Sequence, residues 1–249
     1  MIWLIGGTSE AGILAKRFEK NGNDYIMSIA TEDGKEFFQD CKLKIGRMTK
    51  EEMLEFCKTE KITTIADLSH PYALVVSQLA YETSNELNIK YFRFLRSEIT
   101  ENKNTLHFKN IEEVCTFLKI LKTECVFFTT GSKNIPDFEK VRLNRRFVYR
   151  ILPTAESIEK CKNAGVAAKD IIAIVGPVSE KLNTAMFREY GAEYVVLKNS
   201  GEEGGTKEKL EACSKLNIVP IMIDREEQNG IDSLDKIEKE ILKNEYTAN

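Results

Sequence analysis

The sequence is poor in the residues that build metal centres and cross-links. Its 249 residues hold two histidines, His70 and His107, and six scattered cysteines, Cys41, Cys57, Cys115, Cys125, Cys161 and Cys213, with no C-x-x-C pair. That pattern matches neither zinc nor iron-sulfur spacing, and no disulfide framework, so no bound metal is expected. No apolar run approaches the ~18 residues a membrane-spanning helix needs. Charge of one sign is also missing. Against 36 Lys and Arg stand 39 Asp and Glu, a net charge of -3, which gives no general attraction to nucleic acid or to an anionic membrane. Met1 runs directly into the strand-like Ile2-Trp3-Leu4-Ile5. A signal peptide is therefore not expected, and the cytoplasm is the expected location.

What is present is a pair of glycine loops near opposite ends of the chain. Gly6-Gly7-Thr8-Ser9-Glu10-Ala11-Gly12 and Lys198-Asn199-Ser200-Gly201-Glu202-Glu203-Gly204-Gly205-Thr206 each follow an apolar strand-like run and lead into a helical one. A helix start leaves amide groups unpaired and partly positive, and glycine lets a phosphate approach them. The first loop is not the G-x-G-x-x-G fingerprint, because its leading glycines are adjacent. Nor is it a Walker A loop, since Ile13 stands where lysine is required.

Between the loops, strand-like runs at 2–5, 25–29, 43–45, 64–68 and 91–95 alternate with helical periodicity, which implies a parallel sheet. The polar stretch 97–104 reads as a linker. A second cycle of strands follows at 125–129, 147–152, 171–175, 194–197 and 218–223, with helices led by Glu156, Glu180 and Lys207. The expected fold class is α/β, with two doubly wound parallel-sheet domains, 1–98 and 99–249, and a ligand cleft between them. In such sheets ligands collect beyond the carboxyl ends of the strands, where the polar motifs of this chain fall.

Asp67-Leu68-Ser69-His70-Pro71-Tyr72-Ala73 is one of these motifs. Proline imposes an extended conformation on His70, presenting an imidazole that titrates near neutrality. Arg93 and Arg96 follow the fifth strand, and Lys133, Arg150, Lys198, Lys207 and Arg225 lie at or near loop ends. Basic groups gathered at strand ends of an acidic protein suit a polyanionic small ligand rather than nucleic acid. Thr129-Thr130-Gly131-Ser132-Lys133-Asn134 offers a further anion contact or a capped turn. Near the second strand, Glu32 and Asp33 would suit the 2′-hydroxyl of NAD. Ser28, Lys35 and Arg47 would equally surround a 2′-phosphate, so NADH and NADPH both remain open.

In order and spacing, GGTSEAG, IGRM at 45–48, DLSHPYA, YFRFLR, TTGSKNI, RILP, GPVSE and KNSGEEGGTKEKL together resemble the precorrin-6A reductase family of cobalamin biosynthesis, over nearly the whole chain. The resemblance implies two Rossmann-like domains and reduction of one double bond of the precorrin-6A macrocycle, or its cobalt-containing equivalent, by NADPH or NADH. The cofactor supplies the hydride, so no protein nucleophile or metal is needed.

The resemblance further implies that Gly6, Gly7, Thr8, Ser9, Arg47, Lys198, Asn199, Ser200, Gly201 and Thr206 bind the nucleotide. Ser69, Arg93, Arg96, Thr130, Gly131, Ser132, Lys133 and Arg150 are the candidates for the polycarboxylate macrocycle, and His70 and Tyr72 for the proton donor. Transient contacts with neighbouring pathway enzymes are a further expectation, and neither a membrane nor a nucleic acid is an expected partner. Asn199, Leu68-Ser69 and Ser97 depart from the residues usual at their places in the family, and Asn199 weakens any claim for an essential acid there. The rival readings are a non-catalytic dinucleotide sensor and a reductase of another polyanionic molecule.

Overall fold

The computed structural model describes residues 1–38, 40–96, 104–225 and 229–247. The chain divides into two compact units, Met1–Arg96 with Glu227–Asn249, and Ser97–Glu226.

In unit 1 the chain runs β1 (Ile2–Ile5), α1 (Ser9–Asn21), β2 (Tyr25–Ile29), β3 (Leu43–Ile45), α2 (Lys50–Thr59), β4 (Thr64–Asp67), α3 (Leu74–Leu87) and β5 (Lys90–Arg93). The strands form a parallel sheet in the order β3-β2-β1-β4-β5. Local chemistry sets the boundaries. Thr8 caps α1 by accepting from the Ala11 amide at 3.3 Å, and Gly22 ends the helix with φ +70°. α2 opens on a reciprocal Thr49–Glu52 capping box. β1 and β4 are buried along their whole length, as central strands covered on both faces must be. Trp3, the one tryptophan of the chain, is fully buried and donates its indole N–H to Ser28 Oγ at 2.9 Å.

Unit 2 comprises β6 (Leu106–Phe108), α4 (Ile111–Ile120), β7 (Cys125–Phe128), α5 (Ile135–Glu139), β8 (Arg146–Ile151), α6 (Ala155–Asn163), β9 (Ile171–Ala173), α7 (Glu180–Glu189), β10 (Tyr194–Lys198), α8 (Thr206–Leu216) and β11 (Val219–Ile223). Its parallel sheet has the order β6-β11-β10-β7-β8-β9. Apart from β6 on the outer edge, this repeats the strand order of unit 1. Its core includes Phe128, whose ring lies 4.5 Å from Phe138 and stacks on Tyr149 at 4.8 Å. The linker expected at 97–104 lies outside the described residues except for Asn104, and the three-residue β6 gives no periodic signal in sequence.

The C-terminal segment returns to unit 1. Ile231 pairs beside Phe94, accepting from the Leu95 amide at 2.9 Å and donating to Arg93 O at 2.8 Å. α9 (Leu234–Thr247) then buries Ile237 and Ile241 in the cluster that holds Ala11, Ala15 and Phe18. Arg17 reaches Asp235 at 2.7 Å and Glu238 at 2.8 Å. The division expected from sequence, 1–98 and 99–249, departs from this arrangement at the C-terminal end. The apolar face of α9 finds its complement on α1 rather than in the half of the chain that precedes it.

Replacing Ile237 with alanine is expected to destabilise unit 1 by about 2–5 kcal/mol. Urea unfolding followed by Trp3 fluorescence reads this directly, because the only tryptophan sits in that unit; an unchanged Trp3 transition would deny the docking of α9.

Candidate functional site

Both sheets change winding direction once, between β1 and β4 in unit 1 and between β7 and β10 in unit 2. At such a point the loops leaving the two strands diverge and open a crevice, the usual ligand position in this architecture.

The crevice of unit 1 is flanked by 6–8 and 68–73. A Cβ on Gly6 would fall 2.7 Å from Met27 Cγ and 3.2 Å from Ser28 O, so only glycine fits there; Gly7 has φ +98° and faces open space. The amides of Gly7 and Thr8 donate no backbone hydrogen bond among the described residues. While capping α1, Thr8 also donates its hydroxyl proton to Leu68 O at 2.7 Å, tying the two loops together. Glu10, in the first turn of α1, is buried and paired with Arg96, whose Nε and Nη2 meet its two carboxylate oxygens, the latter at 2.8 Å. Burial alone would raise the Glu10 carboxyl, but the Arg96 hydrogen bond and charge hold it below its usual value.

Arg93 is also buried. Its Nη1 meets Asp67 Oδ1 at 2.7 Å, Ser69 Oγ at 3.0 Å and Ser69 O at 3.1 Å, and its Nη2 lies 3.4 Å from His70 O. His70 Nδ1 accepts from the Tyr72 amide at 3.3 Å, so a neutral ring carries its proton on Nε2. The rings of His70 and Tyr72 are 5.8 Å apart. Arg47 is exposed just beyond β3, at the carboxyl end beside β2. Ser28 is buried, and its Oγ accepts from the Trp3 indole N–H.

Unit 2 presents different chemistry. Thr129 ties β7 to β10 by amide and hydroxyl bonds to Val196 O, at 2.9 and 3.2 Å. Thr130 is buried, and its Oγ1 has no partner among the described residues. Gly131 turns the chain at φ +76°, and Ser132 donates to Ser157 Oγ at 3.2 Å. Lys133, exposed in this loop, lies close enough to Lys198 to act on it. Burial first, and the Lys133 charge second, push the Lys198 ammonium down to about 8. Burial likewise pushes Arg150 down to about 10, and its Nη1 donates to the amide oxygen of Asn183 at 2.7 Å.

The 198–206 loop is bonded in part to itself. Ser200 N–H donates to Lys198 O and Thr206 Oγ1, Gly205 N–H to Glu202 O, and Thr206 N–H to Gly201 O. A Cβ on Gly204 would meet Ser200 O at 2.8 Å. Asn199, Ser200, Gly201 and Thr206 are all buried.

The structure thus gathers Gly6, Gly7, Thr8, Ser9, Ser69, His70, Tyr72, Arg93 and Arg96 on the carboxyl side of one sheet, and Thr130, Gly131, Ser132, Lys133, Arg150 and the 198–206 loop on that of the other. Lys133 and Lys198, assigned from sequence to different ligands, lie in one electrostatic reach, the charge of Lys133 acting on Lys198. Glu10, Asp67, Tyr91 and Asn183 were absent from the sequence candidates. Glu10, Asp67 and Tyr91 do stand inside quoted motifs, but their pairings depend on distant partners.

A sequence model of the precorrin-6x reductase CbiJ/CobK family matches residues 1–241. A cobalt-precorrin-6A reductase of Priestia megaterium is 34% identical over 230 residues, covering 90% of each chain. One of Methanocaldococcus jannaschii is 32% identical over 252 residues, covering 99% of this chain and 97% of the relative. Among solved structures, CobK precorrin-6A reductase superposes with a TM-score of 0.82 at 22% identity, covering 98% of this chain and 96% of that one.

Arg96→Met is expected to cost about 3–5 kcal/mol, because it strands a buried carboxylate. Glu10 has a lowered folded pKa, so the stabilisation from the pair is complete above the ordinary carboxylate value and is lost as pH falls through the lowered one. Urea titrations of both proteins should therefore converge in acid; an equal difference at every pH would contradict the pairing.

Proposed function

This chain belongs to the precorrin-6x reductase family and reduces precorrin-6A to the precorrin-6B form with a nicotinamide nucleotide, and we propose that its two crevices divide the ligands, nucleotide in unit 1 and macrocycle carboxylates in unit 2. The observation that carries this division is the contrast between the loops. At the start of α1 the Gly7 and Thr8 amides point to no backbone acceptor and glycine keeps the approach open. In the 198–206 loop the Ser200, Gly205 and Thr206 amides are bonded internally, and burial with the Lys133 charge disfavours the Lys198 ammonium beside it, a cost that a bound carboxylate would relieve.

The residues of unit 1 fit a dinucleotide. Gly6 permits close passage over β2, the Gly7 and Thr8 amides hold phosphate oxygens, and Ser9 lies exposed beside them. Arg47 at the end of β3 supports NADPH over NADH, by charge pairing with a 2′-phosphate. When bound, the nucleotide supplies a hydride. The chain holds the reacting parts together, excludes water, and delivers a proton to the neighbouring carbon, so that hydride and proton together saturate one double bond. His70, with its proton on Nε2, is the proposed donor; Tyr72 flanks it.

Unit 2 fits a polycarboxylate. A cation whose charge is disfavoured by burial gains from an incoming carboxylate, and burial pushes down both Arg150, which donates to the Asn183 amide oxygen, and Lys198, on which the Lys133 charge also acts. The lone Thr130 hydroxyl adds a donor. The names of the two bacterial and archaeal relatives support cobalt-precorrin-6A as the substrate. Six free thiols support a reducing compartment, the cytoplasm. No described helix is long and apolar enough to cross a membrane.

Anaerobic spectroscopy with cobalt-containing and metal-free precorrin-6A, each with NADPH and NADH, tests the reading. Nucleotide oxidation and macrocycle bands should change together, fastest with the cobalt substrate and NADPH. Lys198→Met should raise the macrocycle KM about tenfold or more, the cost of one charge-assisted hydrogen bond, and leave the nucleotide KM in place. In the wild type, the macrocycle KM should climb as pH passes about 8, where Lys198 loses its proton. A rise in nucleotide KM alone would return the 198–206 loop to the cofactor.

A further inference from the structure

The last residue of β4, Asp67, anchors a polar network that spans β4, β5 and the loop after β4. Asp67 is fully buried, and its two oxygens are shared between three donors. Oδ1 takes the Ser69 amide at 3.0 Å and Arg93 Nη1 at 2.7 Å, while Oδ2 takes the Tyr91 hydroxyl at 2.8 Å. Asp67 and Arg93 are register partners on β4 and β5, and Tyr91 stands two residues earlier on the same face of β5. Burial, then the Asp67 charge, push the Tyr91 phenol upward, so it remains a donor. From this base the Arg93 fork reaches along the loop to Ser69 O, Ser69 Oγ and His70 O.

The next residue, Pro71, is buried and has no amide hydrogen to offer. The His70 carbonyl accepts from the Ala73 amide at 2.8 Å, and the planar guanidinium adds a second, longer bond to it while holding Ser69 O and keeping its carboxylate. A cation set out to grip a substrate carboxylate needs exposed donors. Arg93 is 5% exposed and its Nη1 is fully engaged by protein oxygens.

We infer that Asp67, Tyr91 and Arg93 are positioning residues of the reduction: they set the Ser69–His70 backbone, and Arg93 acts on the reacting groups only through that loop. The inference rests on the placing of His70 as proton donor proposed above. It changes the role expected of Arg93 from sequence, which was direct contact with the macrocycle.

Arg93→Lys keeps a charge for Asp67 but loses the fork, and Tyr91→Phe keeps the ring and loses only the hydroxyl. Arg93→Lys should lower kcat about a hundredfold, the scale of a misplaced catalytic group, with Tyr91→Phe a smaller fall in the same parameter. KM for both substrates should stay within about a factor of three, the signature of an interaction outside ground-state binding. The 15N spectrum of the His70 ring gives a second readout that needs no substrate. The wild type should show the Nε2–H form, and each variant a mixture of both tautomers. Unfolding followed by Trp3 controls for loss of fold.

A raised macrocycle KM with kcat preserved would overturn the inference, since Arg93 would then be holding a carboxylate itself. Unchanged kinetics and an unchanged ring spectrum in both variants would overturn it as well. Failure of the wild type to reduce the macrocycle would instead defeat the proposed function, and the ring spectrum would still decide whether this network positions His70.

Discussion

Where a parallel sheet reverses its winding, the two central strands keep their ladder, with the Leu68 and Thr129 amides still bonding Ile5 O and Val196 O, but beyond those residues the loops separate. Side chains must close that gap. In unit 1 the Thr8 hydroxyl does so by bonding Leu68 O, while Asp67 and Arg93 stitch the same loop to β5. In unit 2 Thr129 bonds Val196 O, and Thr206 closes the glycine loop through the Ser200 amide. Each crevice stays open because a few short hydrogen bonds hold its rims, and the chemistry of each rim decides which anion it suits.

The electrostatics of the two rims differ in kind. Unit 1 neutralises its buried arginines internally, Arg93 with Asp67 and Arg96 with Glu10. Such pairs add little net stability compared with apolar packing, but breaking one is expensive, so they are better suited to fixing a conformation than to exchanging partners. What remains for a ligand is backbone amide, which suits phosphate. Unit 2 leaves Arg150 against an amide and Lys198 near Lys133, and both cations are destabilised by burial. An incoming carboxylate relieves that cost. On the proposed division, a macrocycle rich in acetate and propionate arms would be held by an acidic protein through local groups rather than overall charge.

Much of this was legible in the sequence because it depends on neighbours along the chain. The apolar run before Gly6-Gly7 and the periodic run after it define a strand, a turn and a helix without knowledge of anything else. Among the described residues, ten of the eleven strands fall where the sequence places them, within one or two residues at their ends. Family motifs supplied the macrocycle, which no composition could name. Long-range pairing was not legible. Arg96 reads as an exposed cation until Glu10, 86 residues earlier, is seen beside it, and Arg93 until Asp67 is found 26 residues back. The charge of Lys133 reaches Lys198 because β7 and β10 are neighbours. The return of α9 to unit 1 likewise depends on an apolar face of α1 that a local reading assigns simply to its own core.

The central claim, that the two crevices take different ligands, is tested most directly by amide hydrogen exchange with each ligand added alone. NADPH should slow exchange at 6–12 and 68–73 and leave 129–134 and 198–206 at the rate of the free protein; the macrocycle should do the reverse. Protection of 198–206 by the nucleotide in the absence of macrocycle would contradict the account.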